Sequence, residues 1–413
     1  MRLEAILLLA VAAGTARGAG GFGALTGLAG GAADKLTQGV DKITSSLSNK
    51  DDCSRDVTED FRRALYDFST RLYKQVAQRA SDHFTLSQFS AWLSLAAIAE
   101  NTSGEEQKAL LENLRLPAAE CLRKKYYELA LSLEPAGDDV TLARRRLLLV
   151  QPPAQLPANF SQRAGSLLQA CQVDPAATAK DELKLSTAPA PASALLADSL
   201  DYSALWTSAF PEANIKRNQP FYDDNGKQIG TVDLMKIKKR VKLAHLPILN
   251  AKVLELPVGS DGRFRMLMLV NLGVLPIRHT VEIFQNTIII DIFDKLLESA
   301  IPLEVSIPIF NLTSELKLRE SLEAMGVNSV WKSSPAPAEY YQRVSVAVSP
   351  RGVSEGAPSS GSTLGSLLGA ATGLAAAVGR EFTANRPFMF GLVDKRTRTC
   401  LFTGAYSKPP SPS

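Results

Sequence analysis

The chain ends on two largely apolar segments, Asn385-Arg-Pro-Phe-Met-Phe-Gly-Leu-Val-Asp-Lys395 and Cys400-Leu-Phe-Thr-Gly404. Three further segments precede them in a set order. They are Leu86-Ser-Gln-Phe-Ser-Ala-Trp-Leu-Ser-Leu95, Val253-Leu-Glu-Leu-Pro257 with Met266-Leu-Met-Leu-Val270, and Ile307-Pro-Ile-Phe-Asn-Leu-Thr-Ser-Glu-Leu-Lys-Leu318 with Leu322-Glu-Ala-Met-Gly-Val327. No single segment decides the fold. Their order and their spacing across most of the chain do.

The region before residue 134 is predicted to be helical. From Asp56, apolar residues recur at the three- and four-residue steps of a helix; they are Phe61, Ala64, Leu65, Phe68, Leu72, Tyr73 and Val76. Further helices are predicted over Phe89–Ala99, from Thr102, and over Cys121–Leu133. Thr102-Ser-Gly-Glu105 has the form of a capping box, in which Thr102 would cap the third helix.

Strands are predicted from Thr141 onwards. Thr141–Val150 and Phe264–Leu272 are apolar enough for buried strands, and Glu304–Phe310 and Arg343–Val348 alternate as half-buried strands do. Helices followed by strands, without a βαβ alternation, indicate an α+β fold. No repeat or linker divides residues 54–340, so one domain is predicted there.

Composition and charge exclude several classes of protein. The 413 residues are 45% hydrophobic, which is too apolar for a disordered chain, and a net charge of +4 gives no case for nucleic-acid binding. The three histidines, His83, His245 and His279, are far apart and lack metal-ligand spacing. The scattered cysteines likewise form no nucleophile–base pair, so we predict no enzyme, no metal and no cofactor.

The N-terminus is predicted to be a secretory signal over residues 1–18. Arg2 precedes the uncharged apolar run Ala5–Ala13, and Ala16-Arg17-Gly18 offers small residues for cleavage. The alternative is a short buried helix. No segment reaches the roughly 18 apolar residues of a membrane span, so a secreted, extracellular protein is expected. Residues 19–53 are predicted to be a Gly/Ala-rich flexible arm.

Secretion would make glycosylation and disulfide formation relevant. Asn101, Asn159 and Asn311 each begin an Asn-x-Ser/Thr triplet, which accepts a glycan where it is exposed in a secreted chain. Four cysteines allow three disulfide pairings, and the sequence does not choose among them. One bridge, or buried free thiols, fits equally well.

The quoted segments together resemble those of the serpin superfamily, whose C-terminal strand pair has Pro-Phe before the first strand and ends in Leu-Phe-x-Gly. The resemblance implies a large central sheet A, two smaller sheets, about eight or nine helices, and an exposed reactive-loop region over residues 352–384 of a domain spanning 54–413. Inhibitory members present this loop to a protease. After cleavage the loop inserts into sheet A as an extra strand and distorts the trapped enzyme.

The start of the loop departs from the family pattern. Alignment of Gln342–Val348 with the strand before the hinge puts Gly352 at the hinge glycine, after which the family has Thr or Ser, an acid and a run of alanines. This chain reads Gly352, Val353, Ser354, Glu355, Gly356, Ala357, Pro358. Pro358 has no N–H for a central strand, and an inserted Glu355 would bury an unpaired carboxylate. The hinge is therefore predicted to be unfit for insertion.

The loop is also longer than in a typical inhibitor of the family. Residues 364–379 hold four glycines and five alanines, which suits either a weak amphipathic helix or a flexible tract. If the loop offers a scissile bond, Arg380-Glu381 suits a trypsin-like protease. Counting from Gly352 gives Ser366 instead.

Two departures concern sheet A itself. Asp198 stands where the family has an asparagine that helps to latch this sheet, whereas the serines of the same shutter motif remain as Ser87 and Ser90, with Gln88 in place of proline. The family's helix across sheet A has no clear match, because Thr187–Ala194 is rich in Ala and Pro. The sequence therefore suggests that this helix is missing.

One basic run is a candidate polyanion site. Residues Lys236, Lys238, Lys239, Arg240 and Lys242 could bind a sulfated polysaccharide, although the pattern favours an exposed strand whose charges are simply solvated. Two hypotheses about function follow. The first is a secreted, non-inhibitory serpin-fold protein with a binding, storage or structural role. The alternative is an extracellular serine or cysteine protease inhibitor with an atypical long loop, whose partner would be an extracellular protease. The sequence does not indicate an oligomeric state.

Overall fold

Eight α-helices lie in the part of the chain that the structure, a computed structural model, describes: residues 52–80, 82–133, 139–272, 289–354 and 381–409. They are α1 (Thr58–Arg79), α2 (Gln88–Glu100), α3 (Gly104–Asn113), α4 (Glu120–Leu131), α5 (Phe160–Ala164), α6 (Pro175–Leu183), α7 (Ile289–Lys295) and α8 (Arg319–Ala324). Short 3₁₀ turns cover Glu212–Asn214, Pro247–Leu249 and Ser329–Lys332.

The predicted early helices are confirmed, with one correction at a helix start. All the periodic apolar residues of α1 are buried, and α2 is buried from Gln88 to Ala99 because it packs against α1, α3 and α5. The Thr102 cap is wrong. Helix α3 begins at Gly104 with Ser103 at its N-cap, and the Thr102 hydroxyl instead donates backwards to the Ile98 carbonyl at 2.7 Å. The Thr102 hydroxyl is therefore hydrogen-bonded to a carbonyl at the end of α2 and does not cap α3.

Eighteen strands belong to three sheets in the described residues. They are β1 (Phe84–Leu86), β2 (Val140–Val150), β3 (Gln169–Gln172), β4 (Ala194–Ala204), β5 (Trp206–Ser208), β6 (Lys216–Tyr222), β7 (Gln228–Lys239), β8 (Lys242–Leu246), β9 (Ala251–Val258), β10 (Phe264–Asn271), β11 (Leu297–Glu298), β12 (Leu303–Pro308), β13 (Phe310–Lys317), β14 (Tyr340–Val348), β15 (Gly352–Ser354), β16 (Glu381–Thr383), β17 (Phe388–Asp394) and β18 (Thr399–Tyr406). The predicted strands over Thr141–Val150, Phe264–Leu272 and Arg343–Val348 are confirmed. The single strand predicted over Glu304–Phe310 is wrong, because the chain passes from β12 to β13, which lie in different sheets, and Val305–Pro308 are all buried.

Sheet A contains the two longest neighbouring strands, β2 and β4, in the order β13-β14-β4-β2-β3. Sheet B has the order β1-β18-β17-β10-β9-β5-β15, with β8 on β9 and β11 on β8, and sheet C has the order β16-β12-β7-β6. Residues 56–413 form one compact unit. The α+β prediction is therefore confirmed, and the C-terminal pair β17 and β18 lies inside sheet B, where every residue of β17 is buried.

Alternation along sheet A buries both of its faces. Leu148, Val150, Leu196 and Leu200 point to the main core, whereas Leu147 and its outer-face neighbours belong to a separate, smaller cluster. Because successive side chains of a strand point to opposite faces, two buried faces require cover on both sides of the sheet.

Helix α6 supplies the cover on the outer face, which corrects the expectation of a missing helix. It lies between β3 and β4 in sequence and contacts β2, β4 and β14. Asp174 caps its start by accepting from Ala176 N–H and Ala177 N–H at 2.9 and 3.1 Å, and Lys184 ends it in the left-handed conformation. The helix escaped detection because its nine residues include three alanines and few apolar anchors.

Candidate functional site

The junction between β4 and β14, here called the seam, is where an inserting loop would enter sheet A. The two strands pair in parallel from Tyr340 opposite Leu196 to Ala347 opposite Ser203. On the outer face, Arg343 bridges the seam to Asp201 at 2.6 Å. An extra strand could enter sheet A here only by breaking this ladder.

A buried carboxylate ties the two strands together on the inner face. Asp198 of β4 accepts hydrogen bonds from the Gln342 amide at 2.7 Å and the Tyr340 hydroxyl at 3.2 Å, both on β14. Its other oxygen accepts from the Ser90 hydroxyl of α2 at 2.8 Å. Asp198, Tyr340 and Gln342 are all 0% exposed. The network therefore connects both sides of the seam to the helix beneath.

Burial controls the charge state of this carboxylate. Loss of hydration raises the pKa of Asp198, while hydrogen bonds from Gln342, Ser90 and Tyr340, and the charge of Arg146 on β2, act in the opposite direction. Burial also raises the pKa of Tyr340 well above its ordinary value, and the nearby Asp198 carboxylate adds to the rise. Tyr340 therefore remains a hydrogen-bond donor at any ordinary pH.

Sheet A is also tied to sheet B beneath the seam. The Ser87 hydroxyl donates to the Leu401 carbonyl of β18 at 2.8 Å, and its backbone exchanges two hydrogen bonds with the Gln342 amide at 2.9 and 3.0 Å. Thr85 of β1 donates its hydroxyl to the Val344 carbonyl at 2.9 Å. Sequence reasoning named Ser87, Ser90 and Asp198 but missed Tyr340, Gln342 and Thr85. The sequence signal that could have identified these three residues is a polar side chain at a core-facing position of an otherwise apolar strand.

The segment after β14 leaves sheet A immediately and binds elsewhere. Trp206 donates twice to this segment, from its indole N–H to the Ser349 carbonyl at 2.7 Å and from its backbone N–H to the Arg351 carbonyl at 3.0 Å. The Phe210 backbone N–H donates to the Pro350 carbonyl at 2.9 Å. The short strand β15 then pairs in parallel with β5. We call residues 349–354 on residues 206–210 the tether.

Glycine is required where the tether is closest. A Cβ on Gly352 would lie 2.2 Å from the Ala209 backbone nitrogen and 2.5 Å from its Cα, both under any real contact distance. Two backbones therefore meet here without room for a side chain. Val353 is exposed beside it.

Several predicted site residues lie outside the described residues. Glu355, Gly356, Ala357 and Pro358 of the hinge are among them, as are both candidate scissile residues, Ser366 and Arg380. The signal segment 1–18 and almost all of the arm also lie outside. Their assignments remain predictions.

The basic run does not present its five cations together. Lys236 forms an ion pair with Glu304 of β12 at 2.9 Å, and Lys239 is half-buried, donates to the Ser208 hydroxyl at 3.2 Å, and has its pKa lowered by burial. Lys238, Arg240 and Lys242 are exposed. Strand alternation and the turn into β8 separate the side chains.

The other predicted positions differ in accessibility. Asn159 and Asn311 are exposed, whereas Asn101 is half-buried and donates its amide to the Ala97 carbonyl at 2.9 Å. Cys53 and Cys121 are disulfide-bonded, while Cys171 and Cys400 are free thiols. Among the described residues no group of three or more His, Cys, Asp and Glu is arranged to hold a metal ion. No helix of those residues is long and apolar enough to cross a membrane.

A fold with this three-sheet order, a closed seam in sheet A and a tethered segment after β14 defines a serpin-like protein. The family model described as Serpin (serine protease inhibitor) matches residues 177–409, and the chain belongs to the serpin family. It is 26% identical over 233 residues to human Plasminogen activator inhibitor 2, covering 52% of this chain and 53% of that protein. It is 24% identical over 229 residues to Leukocyte elastase inhibitor of Xenopus tropicalis, covering 52% and 58%. The chain thus spans about half the length of the curated relatives it matches.

Solved structures share the whole fold at lower identity. Uncleaved ovalbumin covers 84% of this chain and 99% of its own, with a TM-score of 0.67 and 17% identity. Native protease nexin-1 with heparin covers 86% and 100%, with a TM-score of 0.70 and 16% identity. The predicted serpin fold, with sheet A, two further sheets and about eight helices, is therefore confirmed.

Proposed function

We propose that this serpin-fold protein is non-inhibitory and acts by binding, storage or a structural role, because its loop does not insert into sheet A. The observation that carries the proposal is the closed seam bridged by Asp198. An entering strand would have to break the β4–β14 ladder and separate the buried Asp198 carboxylate from its two donors on β14, which costs free energy for every group left unpaired. The hinge sequence would return little, since Pro358 and Glu355 suit a central strand poorly.

The alternative, a protease inhibitor with an atypical loop, draws support from the relatives, whose names describe inhibitors of a plasminogen activator and of an elastase. Both hypotheses concern an extracellular partner and neither involves catalysis by this chain. Exposed Lys238, Arg240 and Lys242 keep a sulfated polysaccharide as a candidate partner. We expect this site to bind a polyanion weakly, because Lys236 is paired with Glu304 and Lys239 is half-buried.

The test is cleavage of the loop by trypsin-, chymotrypsin- and papain-like proteases. We expect the chain to be cut as a substrate, with no SDS-stable covalent complex, and to keep nearly the same melting temperature after the cut. Insertion would add a central strand and raise the melting temperature strongly. A covalent complex with any of the three would establish the inhibitor hypothesis instead.

We also propose that the protein is secreted. The predicted signal over residues 1–18 supports this, and so do the disulfide-bonded Cys53 and Cys121, since disulfides persist in oxidising compartments. Expression of the full chain in a secretory cell should release protein lacking these residues. Asn159→Gln and Asn311→Gln should each remove one glycosidase-sensitive mass shift. Asn101→Gln serves as the matched variant and should remove none, because the Asn101 amide is occupied by helix α2.

A further inference from the structure

Two neighbouring segments of the chain form a corner where sheet C passes into sheet B. The turn from β7 to β8 and the turn from β11 to β12 lie side by side, because β8 pairs with β11 in sheet B and β7 pairs with β12 in sheet C, both antiparallel. Between these ladders the Ser299 N–H donates to the Val241 carbonyl at 2.8 Å, and the Val241 N–H donates to the Ser299 hydroxyl at 3.1 Å. Residues 238–243 with 297–304, here called the corner, are therefore held in place from both sheets.

Aliphatic side chains are exposed on the second segment of the corner. Leu297 and Ile301 are 56% and 53% exposed, more than any other large hydrophobic residue in the described part of the chain. Ala300 and Pro302, on either side of Ile301, are exposed as well. Isolated exposed aliphatic residues are ordinary, but a group of them on one short turn marks a surface that binds something apolar.

Cations lie beside this apolar turn. Four exposed basic residues border it: Lys238, Arg240 and Lys242 on the first segment, and Lys295 at the end of α7. The corner also holds two carboxylates, Glu298 opposite Lys242 and Glu304 opposite Lys238. Glu304 is in addition paired with Lys236 at 2.9 Å. Cations therefore outnumber carboxylates around the turn, and the surface is both apolar and positively charged.

The combination of aliphatic and basic side chains favours a lipid surface over a polysaccharide. An anionic bilayer offers negative headgroups to Lys and Arg and, directly beneath them, an acyl-chain boundary that takes up aliphatic side chains. Long basic side chains can reach the headgroups while their apolar neighbours are buried. A sulfated polysaccharide has no apolar phase, so it would leave Leu297 and Ile301 in water.

We propose that the corner docks the protein on an anionic phospholipid surface. Leu297 and Ile301 enter the acyl-chain boundary, and Lys238, Arg240 and Lys242 lie among the headgroups. The contact is peripheral and reversible, because two aliphatic side chains and a few cations attach a protein less firmly than a membrane-spanning helix does. This interaction surface lies in sheets B and C, so it goes beyond the proposed function and does not depend on whether the loop inserts into sheet A.

Co-sedimentation of the full chain with phospholipid vesicles tests the docking surface. We expect binding to vesicles that contain phosphatidylserine and roughly ten-fold weaker binding to vesicles of phosphatidylcholine alone, with the difference reduced at high salt. Ile301→Ser should weaken binding to the phosphatidylserine vesicles roughly five-fold, because an inserted aliphatic side chain is lost. Ile229→Ser, which alters an exposed isoleucine on β7 outside the corner, is the matched control and should leave binding unchanged.

Arg240→Glu tests the contribution of charge. It should weaken binding to the phosphatidylserine vesicles roughly ten-fold, whereas Lys108→Glu, which alters an exposed lysine on α3, should not. Equal binding to the two kinds of vesicle, or equal effects of Ile301→Ser and Ile229→Ser, would overturn the proposal. So would a chain that binds heparin through Arg240 and leaves the vesicles unbound, since the corner would then be a polysaccharide site. If Ile301→Ser does not fold, Arg240→Glu decides, and an effect equal to that of Lys108→Glu overturns the proposal.

Discussion

Asp198 is a carboxylate in a position where burial opposes its charge. It has no cationic hydrogen-bond partner, and the three groups that donate to it, on Ser90, Tyr340 and Gln342, are all neutral. An asparagine could satisfy the same neighbours. Its carbonyl would accept from Tyr340 and Gln342, and the Ser90 hydroxyl could turn to accept from its amide. The charge is therefore not needed for the connection between β4 and β14.

We accordingly expect Asp198→Asn to stabilise the protein at neutral pH. A raised folded-state pKa means that the folded protein holds a proton that the unfolded chain has released, so ionisation destabilises the fold above the unfolded pKa of about 4. The variant should melt about 2–4 °C higher at pH 7, with the difference shrinking as the pH falls below that unfolded value. Thermal melts from pH 3 to pH 8 measure this.

The exposed Asp181→Asn serves as the control for removal of one negative charge and should show no such pH-dependent gain. A lower melting temperature for Asp198→Asn across the whole pH range would mean that the ionised carboxylate is required by the network. That result would also contradict burial as the main influence on the pKa of Asp198.

At the scale of the element, β15 decides where the loop begins. Residues 349–354 are held on β5 and the residues after it by hydrogen bonds to three backbone carbonyls and by the short β15–β5 ladder. These backbone groups therefore already have hydrogen-bond partners outside sheet A. Backbone groups that have partners gain less by moving into a new ladder. The tether and the closed seam therefore oppose insertion at the same end of β14.

Gly352→Ala should detach this element. The new Cβ would overlap the Ala209 backbone, which cannot give way as a flexible side chain can, so β15 must move off β5. We expect faster hydrogen exchange at the Trp206 amide, whose acceptor is the Arg351 carbonyl, with a melting temperature changed by about 2 °C or less because the tether is peripheral. Arg351→Ala is the neighbouring control and should leave exchange at Trp206 unchanged.

Unaltered exchange at Trp206 in Gly352→Ala would contradict the close approach. It would mean that the added Cβ is accommodated while β15 stays paired with β5, so that Gly352 is not required there.

Across the whole molecule, sheet B joins the two ends of the described domain. β1 pairs with β18, and just outside this pair Asp82 accepts from the Ser407 hydroxyl at 2.7 Å and pairs with Lys408. Burial opposes ionisation of Asp82, but these contacts and the His83 N–H together lower its pKa to about 2. Residues more than 300 positions apart are thereby clamped together.

Asp82→Asn should weaken this clamp. A lowered folded-state pKa contributes stability that is present above the unfolded value of about 4 and is lost as the pH falls from there to about 2. Because the side chains of Asp82 and Lys408 are 34% and 54% exposed, solvent screens the pair, and we expect a loss of only about 0.5–1 kcal/mol at pH 7. Urea unfolding at pH 7 and pH 2.5 should show the larger difference at the higher pH, because most of this stability is lost as the pH approaches 2. Glu128→Gln, an exposed carboxyl on α4, is the control and should show no loss.

Local sequence patterns were sufficient to predict the helices α1 and α2, the strands β2, β10 and β14, and the serpin fold. Apolar period and the order of apolar segments are properties of neighbouring residues, and burial follows them directly. The unfavourable hinge composition is also readable from the chain, since a missing N–H or a carboxylate is a property of one residue. Helix α6 was missed because nine Ala-rich residues give a weak period, and packing on sheet A supplies what the pattern lacks.

The polar network around Asp198 and the tether could be seen only in the folded molecule. Ser90 and Asp198 are 108 residues apart, and Asp198 and Gln342 are 144 apart, so their meeting depends on β14 lying beside β4 with α2 beneath both. Ser186 and Glu315, 129 residues apart, meet for the same reason. The chain's residue pattern predicts the serpin fold and a hinge poorly suited to insertion; the fold is confirmed, and the hinge stays a prediction. Strand order establishes what holds its sheet closed, because contacts between distant residues are set by how elements pack and not by the sequence around either one.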